Sequence, residues 1–93
     1  MRYANRIDAN QNEIVETLRK EGAYVRIISQ GNGIPDLLVG FKGKTFLMEV
    51  KDGDKAPSAQ KLTTAEKKFF DEWTGGKLVI VNSKEQAIAS LYD

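Results

Sequence analysis

The stretch that decides the fold is residues 34–51, which read IPDLLVGFKGKTFLMEVK. Two largely apolar runs, Ile34–Phe41 and Thr45–Lys51, flank the short segment Lys42–Lys44. Runs of this length that are rich in β-branched and aromatic residues favour strands, and a short connection with glycine at its centre favours a hairpin. The pattern therefore predicts two antiparallel strands joined by a tight turn at Gly43.

Upstream of this hairpin, the sequence predicts one helix and one further strand. The helix is expected over Arg6–Glu21, because apolar residues recur there at helical spacing. Its apolar face comprises Ile7, Ile14, Val15 and Leu18. Asp8 or Asn10 would cap its start, and Gly22 stands just past its end. Residues Ala23–Ile28 alternate in character and predict a strand.

Downstream of the hairpin, the sequence predicts a loop, a helix, a strand and a last helix. Asp52–Lys61 carries glycine, proline and serine among charges and is expected to be a mobile loop. Thr63 lies three residues before Glu66, the spacing of a capping box, and opens a helix that runs to about Thr74. The remaining elements are a strand over Lys77–Val81 and a helix over Lys84–Tyr92 capped by Ser83 or Asn82. The order αβββαβα is that of a mixed α/β domain.

Composition limits the chemistry that the chain can perform. Its 93 residues have room for one domain, spanning 1–93, and so small a core favours pairing with a second copy. There is no cysteine and no histidine, which excludes disulfides, zinc ribbons, thiol chemistry and a histidine base. The apolar runs are too short to span a membrane, and the N-terminus lacks the apolar stretch of a signal peptide, so we expect a cytoplasmic protein. The net charge of +1 favours no particular partner.

The hairpin brings together the residues best suited to catalysis. Side chains alternate along a strand, so Glu49 and Lys51 project from one face while Val50 points away. The start of the first strand lies opposite the end of the second, which places Asp36 beside Glu49. Two converging carboxylates repel unless a cation joins them, and Mg²⁺ or Mn²⁺ prefers such oxygen ligands. The Val50 carbonyl is a further candidate ligand.

Lys51, on the same face, could orient or help to deprotonate a water and stabilise charge developing on a phosphate. Each motif also has an ordinary explanation. Glu49 and Lys51 alone would form a solvated charge pair, and Pro35-Asp36 alone would signal a turn. Their combination on adjacent strands favours a metal site for phosphodiester hydrolysis.

Ile34-Pro35-Asp36, followed by Glu49-Val50-Lys51, resembles the core motif of the PD-(D/E)XK nucleases, which have a restriction-endonuclease-like fold. The wider pattern is similar to the VRR-NUC family, in the stand-alone form found in phages and prophages. This resemblance implies a mixed four-stranded sheet with flanking helices, Mg²⁺ or Mn²⁺ dependence and endonucleolytic hydrolysis of DNA in a bacterial host cell. Stand-alone members also resemble Holliday junction resolvases, which implies a homodimer acting on branched DNA.

The resemblance also draws attention to individual residues. These nucleases commonly place a glutamate on the inward face of the first helix, and that position is Gln11 here. Gln11 is therefore predicted either to serve the catalytic site or to be a buried amide bonded to backbone. Near the start of the second long helix, where related nucleases carry a polar residue facing the site, Glu66 is expected to serve the capping box and Gln60 to lie in the loop.

Other residues could take part in recognition. Lys55 and Lys61 are predicted to contact DNA phosphates, with a solvated face as the alternative. The aromatic residues Phe69, Phe70 and Trp73 have helical spacing and are expected in the core or a dimer contact. Gly31 and Gly33 would let a backbone approach DNA closely, or would serve a turn.

Two other functions compete with a DNA endonuclease. One is a non-catalytic module on a nuclease fold that binds DNA or a partner protein. The other is a nuclease that acts on ends or on RNA. The presence of Asp36, Glu49 and Lys51 together argues against the pure binding module, which needs no such set.

Overall fold

A computed structural model describes residues 9–93 of the chain. Its elements are α1 (Gln11–Lys20), β1 (Tyr24–Ile27), β2 (Leu37–Phe41), β3 (Lys44–Val50), α2 (Thr64–Glu72), β4 (Lys77–Val81) and α3 (Lys84–Tyr92). A short 3₁₀ turn, Pro57–Gln60, precedes α2. The predicted order αβββαβα is confirmed.

The four strands form one sheet in the order β1-β2-β3-β4. The first two pairs are antiparallel and the β3–β4 pair is parallel, so the sheet is mixed, as predicted. In the hairpin between β2 and β3, Phe41 pairs with Lys44, leaving a two-residue turn. Both turn residues, Lys42 and Gly43, have positive φ, of 50° and 80°. This is the backbone of a type I′ turn, whose twist matches that of the flanking strands.

One side of the sheet carries the hydrophobic core. Helix α1 packs on α3 and β1, and α3 packs on β4. The core comprises Ile14, Val15 and Leu18 of α1, Leu37, Val39 and Phe41 of β2, and Phe46, Met48 and Val50 of β3, with Val81, Ala87 and Leu91 closing it from β4 and α3. We call this side the core face and the opposite side, where α2 lies, the α2 face. Period-2 alternation along β2 and β3 separates the two faces.

Helix α1 begins later than predicted. It starts at Gln11, because Ala9 and Asn10 form a turn. The predicted residues Arg6–Asp8, with the candidate cap Asp8 and the apolar Ile7, lie outside the described residues. Asn10 occupies the N-cap position, but its side chain makes no capping hydrogen bond.

The end of α1 agrees with the prediction. Gly22 has a φ of 103°, and its N–H donates to the Arg19 carbonyl. The Ala23 N–H donates to the Leu18 carbonyl, which completes a Schellman motif. The glycine ends the helix because a residue with a Cβ rarely adopts this left-handed conformation.

Helix α2 covers its face of the sheet thinly. The predicted capping box is present, with Thr63 and Glu66 each bonding the other's backbone N–H. The helix ends at Glu72 rather than Thr74, because the Trp73 backbone is extended. None of its residues is buried, so the prediction that Phe69 and Phe70 lie in the core is wrong. Phe69 instead stacks on Trp73, with ring centroids 5.5 Å apart.

Helix α3 is capped by Ser83, whose hydroxyl accepts from the Gln86 N–H at 3.1 Å. Asn82, the alternative cap, instead donates its backbone N–H to the Gln86 side chain. Within residues 9–93, no helix is both long and apolar enough to cross a membrane.

Candidate active site

The α2 face contains a cavity of about 570 Å³ at the carboxyl end of β3. It is lined by charged residues that include Asp36, Glu49, Lys51, Lys55, Lys61 and Glu66. Glu49 and Lys51 reach it because they alternate with Met48 and Val50, whose side chains are buried in the core. Three residues predicted to act together, Asp36, Glu49 and Lys51, therefore line the same cavity.

Asp36 lies just before β2, which starts at Leu37 rather than at Ile34. The pairing of Leu37 with Met48 continues outward to place Asp36 opposite Glu49, as the hairpin predicted. The Asp36 carboxylate accepts a hydrogen bond from the Val50 N–H at 2.8 Å. This side chain takes the place of a backbone acceptor on β2, and it is thereby oriented toward β3.

Glu49 is the most deeply buried acid of the site, with 3% of the residue exposed. Its Oε1 atom is buried and has no hydrogen-bond partner among residues 9–93. Burial, and then the nearby charges of Asp36 and Glu66, raise the pKa of Glu49 from 4.5 to about 9, against the opposing effect of Lys51. A buried oxygen without a hydrogen-bond partner lowers the stability of the folded protein, unless a ligand occupies the position beside it.

Lys51 lies between two carboxylates. Its Nζ is 2.8 Å from Glu66 Oε1 and 3.6 Å from Glu49 Oε2. The lysine side chain is only 10% exposed, so both contacts are shielded from solvent. The charged ammonium is thus fixed beside the carboxylate that is predicted to hold a metal.

Glu66 does more than the sequence predicted. It serves the capping box, since its Oε1 accepts from the Thr63 N–H at 2.9 Å. The same oxygen also accepts from Lys51 Nζ, so the capping residue lies within the site. Burial acts to raise the pKa of Glu66, but hydrogen bonds from Lys51 and Thr63 outweigh it and lower the pKa below 4.5. The sequence signal for this role was its position at the start of the second long helix.

The residues present fit a hard divalent cation. Asp36 and Glu49 supply two carboxylates on adjacent strands, and the unpartnered Glu49 Oε1 leaves an acceptor for a ligand. Among residues 9–93, no group of three or more acidic, histidine or cysteine side chains forms a metal cluster. Mg²⁺ commonly uses only one or two carboxylates and completes its shell with water and substrate phosphate. Two carboxylates with the Val50 carbonyl meet that requirement.

Gln11 is buried as predicted, with 1% of the residue exposed. It does not line the cavity. Its Nε2 has no hydrogen-bond partner within the described part of the chain, so this atom does not make the backbone bond of the alternative interpretation. A catalytic role for Gln11 stays a prediction.

The segment predicted to be a mobile loop, Asp52–Lys61, is organised by hydrogen bonds. Gln60 Nε2 donates to the Lys55 carbonyl at 2.7 Å, and Gln60 Oε1 accepts from Asn82 at 3.4 Å. The 3₁₀ turn within this segment places Lys55 and Lys61 on the wall of the cavity. The proposed contacts of these two lysines with phosphate stay predictions.

Gly33 makes a close backbone approach, but to α2. A Cβ at this position would lie 2.3 Å from the Ala65 carbonyl oxygen, and the residue has a φ of 83°. Glycine is therefore required here for contact with the first turn of α2, whereas at Gly31, also with positive φ, a Cβ would meet open space. The close approach of these glycines to DNA stays a prediction, and the close contact observed at Gly33 is with α2.

Asn10 is a residue whose role the sequence did not reveal. Its Nδ2 donates to the Lys51 carbonyl at 3.1 Å and to the Asn82 carbonyl at 3.0 Å. These bonds tie the start of α1 to the ends of β3 and β4. No sequence signal separates this bridge from an ordinary helix cap, since asparagine suits both.

The mixed four-stranded sheet and its flanking helices have the fold of a VRR_NUC domain. A solved structure described as "VRR_NUC domain" matches with a TM-score of 0.59 and 24% identity, over 89% of this chain and 95% of that one. At this identity the likeness shows the fold. No protein-family model and no curated protein sequence matches the chain.

Proposed function

We propose that this chain is a Mg²⁺- or Mn²⁺-dependent endonuclease that hydrolyses DNA phosphodiester bonds. The observation that carries the proposal is the convergence of Asp36, Glu49 and Lys51 on one cavity of a VRR_NUC fold. The buried, unpartnered Glu49 Oε1 supports it, because a protein keeps such a group where it has a function.

Asp36 and Glu49 would hold the cation, with the Val50 carbonyl as a further ligand. When bound, the cation supplies Lewis-acid polarisation of the phosphate and activation of water. Lys51 would orient the attacking water and stabilise the negative charge that develops on the phosphate oxygens. The contacts of Lys51 with two carboxylates suit this role, since they fix the position of its ammonium before the substrate arrives.

The substrate would be branched DNA, with junctions preferred, and the active form would be a homodimer. Lys55 and Lys61 on the cavity wall would contact phosphates. One subunit carries a net charge of only +1, so a dimer would double the charge offered to DNA and present two sites for two strands. The resemblance of its sequence motifs to stand-alone VRR-NUC proteins supports a further proposal. The protein would act in the cytoplasm of a bacterial host and would have a phage or prophage origin.

The direct test compares cleavage of labelled four-way junction, flap, single-stranded and linear duplex DNA in Mn²⁺, Mg²⁺ or EDTA. We expect metal-dependent cleavage and a loss of about 10²–10³-fold in Lys51→Ala. Lys84→Ala is the matched control, because it removes an exposed lysine of α3 that pairs with Glu13 away from the cavity. If no substrate is cut in metal, the proposed nuclease activity fails and a binding module is favoured. If Lys51→Ala cuts as well as the parent, the catalytic role of Lys51 fails.

Two finer parts of the proposal have separate tests. Cleavage of linear duplex as readily as junction would remove the preference for branched DNA, and cleavage of matched RNA would widen the substrate class. Sedimentation equilibrium is expected to give twice the chain mass of 10.4 kDa. A mass near that of one chain would exclude the dimer.

A further inference from the structure

The geometry points to Glu66 as a positioning residue that holds Lys51 in place for cleavage. This makes the N-terminal cap of α2 part of the active site. The inference rests on the proposed nuclease function and adds to it a residue outside the set formed by Asp36, Glu49 and Lys51.

The first support is the position of the Lys51 ammonium. It lies 0.8 Å closer to Glu66, at 2.8 Å, than to Glu49, at 3.6 Å. A lysine stem has four flexible carbons, so its ammonium takes its position from the strongest partner within reach. With the Glu66 side chain only 17% exposed, this charge-assisted hydrogen bond is poorly screened by water.

The second support is that the Glu66 carboxylate is itself fixed. Its Oε1 accepts from the Thr63 N–H at 2.9 Å, while the Glu66 N–H donates to Thr63 Oγ1 at 3.2 Å. The reciprocal bonds of a capping box restrict the glutamate to one conformation. Lys51 therefore bonds to a group whose place is set by the start of a helix.

The third support is the anchoring of that helix start. Gly33 packs directly on the Ala65 carbonyl, in the loop that leads to Asp36. None of the residues of α2 is buried, so apolar packing contributes little to its position. Polar contacts with the site and this backbone contact locate the first turn, and they join Glu66 to the segment that carries Asp36.

The experiment compares Glu66→Gln and Glu66→Ala with Ser83→Ala. Glutamine keeps an oxygen for the Thr63 N–H but removes the charge facing Lys51, whereas alanine removes both. Ser83→Ala is the matched control, because Ser83 caps α3 by the same kind of bond, away from the cavity. Steady-state cleavage of the preferred DNA, thermal unfolding and Mn²⁺ affinity are measured for each variant.

We expect kcat to fall by about 10²-fold in Glu66→Ala and by less in Glu66→Gln, as for a displaced catalytic group. KM should not rise, because each change removes a negative charge near bound phosphate. Mn²⁺ affinity should not fall, because loss of Glu66 removes one of the charges that raise the pKa of Glu49. Ser83→Ala should lower the unfolding temperature and leave kcat as in the parent. This control distinguishes the loss of a helix cap, which lowers stability, from the displacement of Lys51, which lowers kcat.

A second readout does not depend on cleavage. The Lys51 ammonium should give a slowly exchanging ¹H–¹⁵N NMR signal in the parent, and Lys51→Ala identifies it. That signal should weaken in Glu66→Gln and vanish in Glu66→Ala.

The outcomes separate the two proposals. A parent that cuts no DNA in metal overturns the proposed function and the positioning role with it. A parent that cuts, with Glu66→Ala cutting at the parental rate, overturns the positioning role alone. A fall in Mn²⁺ affinity in both Glu66 variants would also overturn it, because Glu66 would then be a metal ligand.

Discussion

The two faces of strand β3 differ sharply, although alternate residues of one short strand form them. On the core face, Phe46, Met48 and Val50 pack with other apolar side chains under α1 and α3. On the α2 face, Glu49 and Lys51, which comes directly after the strand, are buried as well, but among charges. Burial stabilises the first set and carries a cost for the second, because ionised groups lose water when they are covered.

The difference indicates that the core face stabilises this small protein and that the α2 face carries its proposed chemistry. The core face has two helices over it, whereas α2 buries none of its residues over the other face. The polar contacts between Lys51, Glu66 and Thr63 join α2 to the site. A face that is thinly covered can remain open to a substrate as large as DNA.

The largest effect is expected from two neighbouring substitutions on β3. Glu49→Gln should abolish cleavage, by on the order of 10³-fold, without lowering the unfolding temperature, because it removes a buried ionisable group and a proposed metal ligand. Met48→Ala should cost about 2–5 kcal/mol of stability through a core cavity, while the folded fraction still cleaves. Thermal or denaturant unfolding and cleavage per folded molecule measure both.

Opposite results would remove the distinction between the faces. If Glu49→Gln unfolds the protein, Glu49 is a structural residue. If Met48→Ala remains as stable as the parent, the core face is not the source of stability.

A second, smaller effect concerns the pH dependence of stability in EDTA. The folded protein raises the pKa of Glu49 from 4.5 to about 9, so it favours the protonated form. The stabilisation from this group is therefore fully present below pH 4.5 and is lost as the pH rises through about 9. The unfolding temperature of the parent should fall relative to Glu49→Gln across this interval. Equal slopes for the two proteins would show that Glu49 ionises normally.

Metal binding should show the converse pH dependence. A cation displaces the proton from Glu49, so Mn²⁺ affinity, measured by calorimetry, should increase with pH over the same interval. Affinity that does not change with pH would exclude Glu49 as a ligand.

The smallest effect is expected at the rim of the cavity. Lys55→Ala and Lys61→Ala should each weaken DNA binding and reduce the salt dependence of log K by about 0.9 per lost phosphate contact. The kcat should fall less than in Lys51→Ala, because neither lysine is proposed to orient the water or to stabilise the charge that develops on the phosphate. Binding titrations at several salt concentrations measure this, with Lys84→Ala as control. If both variants keep the salt dependence of the parent, these lysines do not contact phosphate and are simply solvated.

Local signals predicted much of the fold. The tight turn at Gly43, the end of α1 at Gly22 and the capping box at Thr63 are each made by residues a few positions apart, and each was confirmed. The turn is one residue shorter than predicted, because Lys44 already pairs with Phe41. Boundaries that depend on distant contacts were less accurate. Strand β2 begins at Leu37 because Asp36 bonds across to Val50 through its side chain, which no local pattern indicates.

The sequence by itself determined the order of elements and the convergence of Asp36, Glu49 and Lys51. Strand alternation and a short hairpin act between near neighbours, so they can be inferred without a structure. Only the tertiary structure decided that Glu66 meets Lys51, that Asn10 bridges the ends of β3 and β4, and that Glu49 is buried with an unpartnered oxygen. These features arise where separate segments pack together, and burial and pairing of charge are properties of the packed whole.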